Sequence, residues 1–280
     1  MKTIITSLAI LIISSLHAQN YEWGIFGNDS KVMLFGNNVN VRSGPGTENQ
    51  VVAKLPIGHE MTIISHGEDL FTVGDMEQYW YEVSFQFNEK ELTGYVWGGL
   101  IAIVSINASD GALLLFGLGT KKDAEYGWPG KVRIVKNGVL TVENDWDVIG
   151  TMFGSTTQYT YTVSAELRDK VPYTGVKDMI IITYTYEACG FENGDQLYFY
   201  NGSSLIYCCR ATGASEAGLF RSSSKFTFSD EPGGEKGKII VTTDSVEIEY
   251  NEETGEEKTS ESQDIWEYVW DGNTITEKKR

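Results

Sequence analysis

The chain is short of positive charge. Its 22 Lys and Arg residues face 39 Asp and Glu, a formal net charge of −17. Nucleic acid and anionic lipid are held by Lys and Arg that neutralise phosphate, so this balance argues against both as partners. Histidine and cysteine are scarcer still, with three of each. After His17 only His59 and His66 remain, and Cys189, Cys208 and Cys209 stand far from them in sequence. A thiolate nucleophile needs an adjacent imidazole, and a zinc peptidase needs closely spaced His and acid ligands. Neither pattern is present, nor is a Gly-x-Ser-x-Gly elbow or a phosphate-binding loop. The expectation is a chain without catalysis of these kinds, and without a metal or cofactor.

Long apolar runs are also missing. No stretch approaches the ~20 consecutive apolar residues of a membrane helix, so the chain is not expected to span a membrane. The one short apolar run begins after Met1-Lys2 and extends over residues 4–16, interrupted by Thr6, Ser7, Ser14 and Ser15, with Ala18 at its exit. A cationic start, a short apolar stretch and a small exit residue make residues 1–18 a secretory signal peptide. No Cys follows it, so a lipid anchor is not expected. Cleavage after Ala18 would leave 280 − 18 = 262 residues and remove one Lys and no acid, giving −18. That size suits two domains, exported to the periplasm or the exterior.

Helical periodicity is scarce; one short turn at residues 164–170 is the only candidate. What is there is period-two alternation, as at residues 39–43, 131–135, 159–163 and 246–250, rich in Val, Ile, Thr and Tyr. Asn137-Gly138, Asn193-Gly194, Asn201-Gly202 and Asp271-Gly272 read as hairpin turns. Residues 251–263 are polar and acidic and read as a hairpin tip, followed by a strand at 264–270 and a short return at 274–278. Five prolines and 30 glycines fit a chain of many turns. The fold class is all-β, with a boundary near residues 104–111.

A specific set of motifs occupies residues 35–104. Asn40-Val41-Arg42-Ser43-Gly44-Pro45-Gly46-Thr47 is followed by Val52-Ala53-Lys54-Leu55-Pro56-Ile57-Gly58, then Tyr79-Trp80-Tyr81-Glu82-Val83, then Thr93-Gly94-Tyr95-Val96-Trp97. Val39 and Val41 point to one face, Gly44 and Gly46 flank a Pro that fixes a turn, and Gly94 suits a close strand crossing. These motifs, in this order, resemble the bacterial SH3 family, a small β-barrel. The resemblance implies a non-catalytic module, found with cell-wall hydrolases and exported proteins and in some cases binding peptidoglycan peptides. Residues 85–92 lengthen the loop before the closing strand relative to the family's shortest pattern. The domain plan is a signal peptide at 1–18, a lead segment at 19–34, the SH3-like barrel at 35–104 and a β-rich sandwich or propeller-like sheet at 105–280, for which no family is recognised.

Aromatic residues with a polar tip make good binding surfaces, so Tyr79, Trp80, Tyr95 and Trp97 are candidate ligand contacts, with barrel core as the other reading. Trp128, in the Gly127-Trp128-Pro129-Gly130 loop, is a further candidate. Tyr184, Tyr186, Tyr198, Tyr200, Tyr207, Trp266, Tyr268 and Trp270 sit at alternate strand positions, as core or as an exposed platform. Two acidic clusters, Glu143 with Asp145 and Asp147, and Glu187 with Glu192 and Asp195, keep open a carboxylate-dependent glycoside hydrolase or a Ca²⁺ site. Three cysteines in an exported chain suggest one disulfide, from Cys189 to Cys208 or Cys209, closing a loop of ~20 residues for roughly 3 kcal/mol. Because neighbours on a strand face opposite ways, only one of that adjacent pair would face Cys189. The expected function is an exported binding protein whose SH3-like module takes a cell-wall peptide or another envelope ligand. The alternatives are the hydrolase and a structural or inhibitory envelope accessory.

Overall fold

The structure is a computed structural model that describes residues 26–74, 76–119, 129–147, 162–185, 189–251 and 256–280. The expected signal peptide lies outside the described residues. Among the described residues there is no α-helix; three antiparallel sheets account for the fold.

The first sheet holds β1 (Lys31–Met33), β2 (Val39–Arg42), β3 (Val51–Leu55), β4 (Glu60–Val73), β5 (Met76–Phe87) and β6 (Lys90–Trp97), in the order β1-β4-β5-β6-β2-β3. Register shifts in the pairing of β4 with β5, between Ile63 and Ser65 and between His66 and Leu70, bend β4 and curl the sheet into a barrel. Alternate side chains, Val39 and Val41, Ala53 and Leu55, Met61 and Ile63, and Tyr79, Tyr81, Val83 and Phe85, fill its interior. Residues 85–92, expected as a loop, are strand: β5 and β6 pair as far as Phe87 and Lys90. Asn88 and Glu89 make the turn, both at positive φ (50° and 62°) with no glycine to announce it.

The second sheet is a meander of β7 (Val104–Asn107), β8 (Leu113–Leu118), β9 (Pro129–Lys136) and β10 (Val139–Asp147). Asn137 and Gly138 form its expected hairpin turn. β8 is apolar along its whole length because both faces are covered. Leu115, with Val135 of β9, packs on Phe35, Ile57 and Ala102 of the barrel. Leu114 and Phe116 face the other way, towards Ile180, Ile182, Tyr198 and Tyr200 of the third sheet.

The third sheet runs in simple chain order: β11 (Thr162–Leu167), β12 (Asp178–Thr185), β13 (Asn193–Tyr200), β14 (Leu205–Glu216), β15 (Phe220–Thr227), β16 (Lys238–Asn251), β17 (Glu256–Trp270) and β18 (Ile275–Lys279). It curls strongly, so that Trp270 of β17 meets Phe199 of β13 edge to face at 5.3 Å, across three intervening strands. Residues 164–170 are not a helical turn; their first part is β11, paired with β12 through Leu167. Asn193-Gly194 is not a turn either. It opens β13, where Gly194 sits at φ +148° and a Cβ would stand 2.3 Å from the Ala211 carbonyl oxygen. Asn201-Gly202 and Asp271-Gly272 are turns as expected, the Asp271 carboxylate accepting from the backbone of Asn273 and Thr274. Residues 256–263, expected within a hairpin tip, are paired strand in β17.

Candidate functional site

The barrel aromatics do not form an open platform. Tyr79, Trp80 and Trp97 are only 8%, 5% and 7% exposed, and Tyr95 is half-buried. The cause is sheet order. β5 and β6 are central strands with the barrel interior on one face and residues of the other two sheets against the opposite one. Tyr79 points inward. Trp80 and Trp97 point outward and share a core with Leu114, Phe116, Trp146 and Ile182, against which Tyr95 also packs. The Trp80 indole N–H has no hydrogen-bond partner among the described residues, while that of Trp97 donates to the carbonyls of Phe71 (3.1 Å) and Gln78 (3.2 Å). Trp128 lies outside the described residues.

The other sheet aromatics follow the same logic. Tyr184, Tyr198, Tyr200 and Trp270 are buried, Trp266 and Tyr268 pack against the inner core of the third sheet, and Tyr207 is exposed. Tyr186 lies outside the described residues. Of the first acidic cluster, Glu143 pairs with Arg133 (2.7 Å) and Asp145 with Lys131, each directly across the β9–β10 ladder. Trp146, expected to accompany them towards a sugar, points the other way; its indole donates to Gln196 Oε1 at 3.0 Å inside the core. Of the second cluster, Asp195 accepts from the Thr183 hydroxyl at 2.6 Å, and Glu187 lies outside the described residues. No group of three or more His, Cys, Asp or Glu placed to hold a metal occurs among the described residues.

The expected disulfide is not formed; all three cysteines are free thiols. Cys209 pairs with Leu197 near the start of β14, whereas Gly190, next to Cys189, binds Ser215 near its end. Six residues of strand separate Cys209 from Ser215, about 20 Å at ~3.3 Å per residue, far beyond the ~7 Å Cα limit of a disulfide. The expectation that Cys208 and Cys209 face opposite ways also fails. A bulge between Leu197 and Tyr198 leaves Cys208 as the extra residue, and both thiols enter the same core.

What the structure assembles is a cleft of about 280 Å³ where the barrel meets the second sheet. Its lining includes the apolar side chains of Val73, Met76, Trp97, Leu100 and Leu118 and the charged ones of Lys131, Arg133 and Glu143. Arg133 is fixed from three directions. Its Nε donates to Glu143, its Nη1 donates to the Phe35 carbonyl at 2.6 Å, and its guanidinium lies 4.1 Å from the centre of the Phe35 ring. The ring in turn lies against Gly117, where a Cβ would come within 2.7 Å of it. The glycine therefore lets Phe35, and with it the arginine, sit where they do. Gly36, Gly99 and Gly119 also line the cleft; a Cβ at Gly36 would meet Leu100 at 2.9 Å, and one at Gly99 would run into the Trp97 ring. A second hollow, of about 350 Å³ between Cys189, Arg221, Val246 and Ile248, lies on β14–β16 away from the barrel.

Among the described residues expected to contact a ligand, only Trp97 lines the cleft. Arg133 and Phe35 were not anticipated. Arg133 reads in sequence as the polar phase of an alternating strand, and Phe35 precedes the first family motif. The usable signal was Gly117 inside an unbroken apolar run, which marks a close approach of another group.

Comparison with curated proteins returned no match. Comparison with solved structures also returned none. The family model for the bacterial SH3 domain matches residues 37–102, which take in β2 through β6 and the short 3₁₀ turn Gly98–Leu100 behind them, so the barrel that supplies one wall of the cleft is the bacterial SH3 domain of this chain.

Proposed function

We propose that this chain is an exported, non-catalytic binding protein, and that its ligand, a cell-wall or envelope peptide, enters the cleft between the SH3 barrel and the second sheet. The bacterial SH3 match supports a binding module, commonly one related to the cell wall. The signal-peptide pattern of residues 1–18 supports export. The observation that carries the reading is the cleft itself: a concave, mostly apolar lining that includes Trp97 together with a small number of fixed polar groups, which is the usual build of a ligand pocket. Trp and Arg are also the residues that most often dominate binding energy.

The test uses the full chain, because Trp80 and Trp97 of the barrel share a core with the sheets that follow. Purified protein is sedimented with insoluble peptidoglycan beside Leu100→Trp, which enlarges a half-buried wall residue into the cleft. The reading predicts that the wild type sediments with the polymer and that the variant, with an unchanged melting temperature, stays in solution. Equal sedimentation of both, or of neither, contradicts it.

A further inference from the structure

Two cations stand in the cleft of an otherwise acidic chain. The chain carries −17 overall; among the described residues the charged side chains lining the cleft are two cations, Lys131 and Arg133, each paired with a carboxylate, and one anion, Glu143. Lys131 is tied to Asp145, a carboxylate that is 87% exposed and stands outside the lining. Arg133 is better placed. Glu143 and the Phe35 carbonyl take one N–H each from Nε and Nη1, and no further hydrogen bond of this guanidinium is made among the described residues. A guanidinium offers five N–H donors in a rigid fork, so donors remain for a ligand. Its position is set before any ligand arrives, by stacking on Phe35 and by two hydrogen bonds, so little side-chain freedom is lost on binding.

Beside this cation stands an apolar wall, Val73, Met76, Trp97, Leu100 and Leu118, in a space of about 280 Å³. That is just below the ~300–1,000 Å³ of small-molecule pockets and gives room for one or two residues. The planar fork of Arg133, with donors left over, matches the two oxygens of a carboxylate. We infer that the cleft receives the C-terminal end of a peptide, its apolar last side chain against Trp97 and Leu100 and its terminal carboxylate on Arg133. The inference rests on the reading of the cleft as the binding site and adds the chemical class of what fills it.

Two probes test it: N-acetyl-Gly-Leu as the free acid and as the C-terminal amide, each titrated into ¹⁵N-labelled full-length protein. Shifts of the cleft-lining amides by the acid, with the amide binding about tenfold more weakly, are expected, since a hydrogen bond to a charged group contributes about 1.5–3 kcal/mol. Arg133→Gln should abolish the preference. Because that variant also loses contacts to Phe35, the exposed rim residue Val73 gives an independent check: Val73→Lys widens the acid-to-amide ratio and Val73→Asp narrows it. Equal affinity of acid and amide overturns the carboxylate inference and leaves the cleft reading standing. Failure of both probes to shift any cleft residue overturns the two together.

Discussion

Arg133 and Phe35 touch twice: the guanidinium lies 4.1 Å above the ring, and Nη1 donates to the carbonyl of the same residue at 2.6 Å. One comes from the second sheet and the other from the stretch between β1 and β2 of the barrel, so this pair both joins the two sheets and shapes the cleft. Lysine keeps the charge but cannot stack flat and donate in two directions at once. Arg133→Lys is therefore expected to cost about 1–3 kcal/mol in urea unfolding, from the lost cation–π contact and one charge-assisted hydrogen bond. A change below about 0.5 kcal/mol, the usual range for surface substitutions, would mean that the pair does not hold the junction.

A second junction joins the middle sheet to the large one and is sensitive to acid. Burial pushes the Asp110 carboxyl pKa up, but the Ala112 backbone N–H, Lys177, Lys136 and the Tyr200 hydroxyl outweigh it and bring the pKa from 3.8 down to about 2. A carboxylate lowered in the folded state adds stability above its unfolded pKa of ~3.9 and loses it as pH falls towards the folded value. Asp110→Asn should be less stable than wild type by about 1–2 kcal/mol at pH 6. The gap in urea midpoint should shrink between pH ~4 and ~2 as the wild-type carboxylate is protonated. A gap constant over that window would remove Asp110 from the account.

The thiols give a count. Cys189 is exposed, whereas Cys208 and Cys209 are buried, and burial pushes both of their thiol pKa values well up. Thiolates, not thiols, react with disulfide reagents. Native protein treated with dithionitrobenzoate should show one fast-reacting thiol per chain and three after denaturation, with reductant leaving the melting temperature unchanged. A single thiol in denaturant would restore the disulfide.

Gly194 is held where no other residue fits comfortably, at φ +148° with the Ala211 carbonyl oxygen 2.3 Å from where a Cβ would be. Gly194→Ala must move β13 from β14 and is expected to cost roughly 2 kcal/mol or more. A substitution that leaves the denaturation midpoint unmoved would show that these strands can give way there.

These junctions also mark the limits of reading the chain from its residues. Strand content was legible because alternation as in Lys131-Val132-Arg133-Ile134-Val135 is a local property, and so was the barrel, whose turn and crossing residues Gly44, Pro45 and Gly94 belong to one contiguous domain. Partners across sheets were not legible. Whether Trp80 and Trp97 face solvent or core depends on what a segment beyond the barrel lays over them, and period-two spacing is the same in both cases. The disulfide failed for a related reason: strand registry and a bulge set the Cys189 and Cys209 positions, and neither is written at the cysteines themselves. The cleft combines residues from positions 35 to 143, so no single motif announces it.

The central claim is that ligand enters between the barrel and the second sheet, and the most direct test maps contacts on the full chain. Soluble peptidoglycan fragments bearing free peptide C-termini are added to ¹⁵N-labelled protein, and perturbed resonances are assigned. The account predicts a cluster at Phe35, Val73, Trp97, Leu100, Lys131 and Arg133. Perturbations gathered instead around Cys189, Arg221 and Ile248 on the third sheet, or no perturbation at saturating fragment, would contradict it.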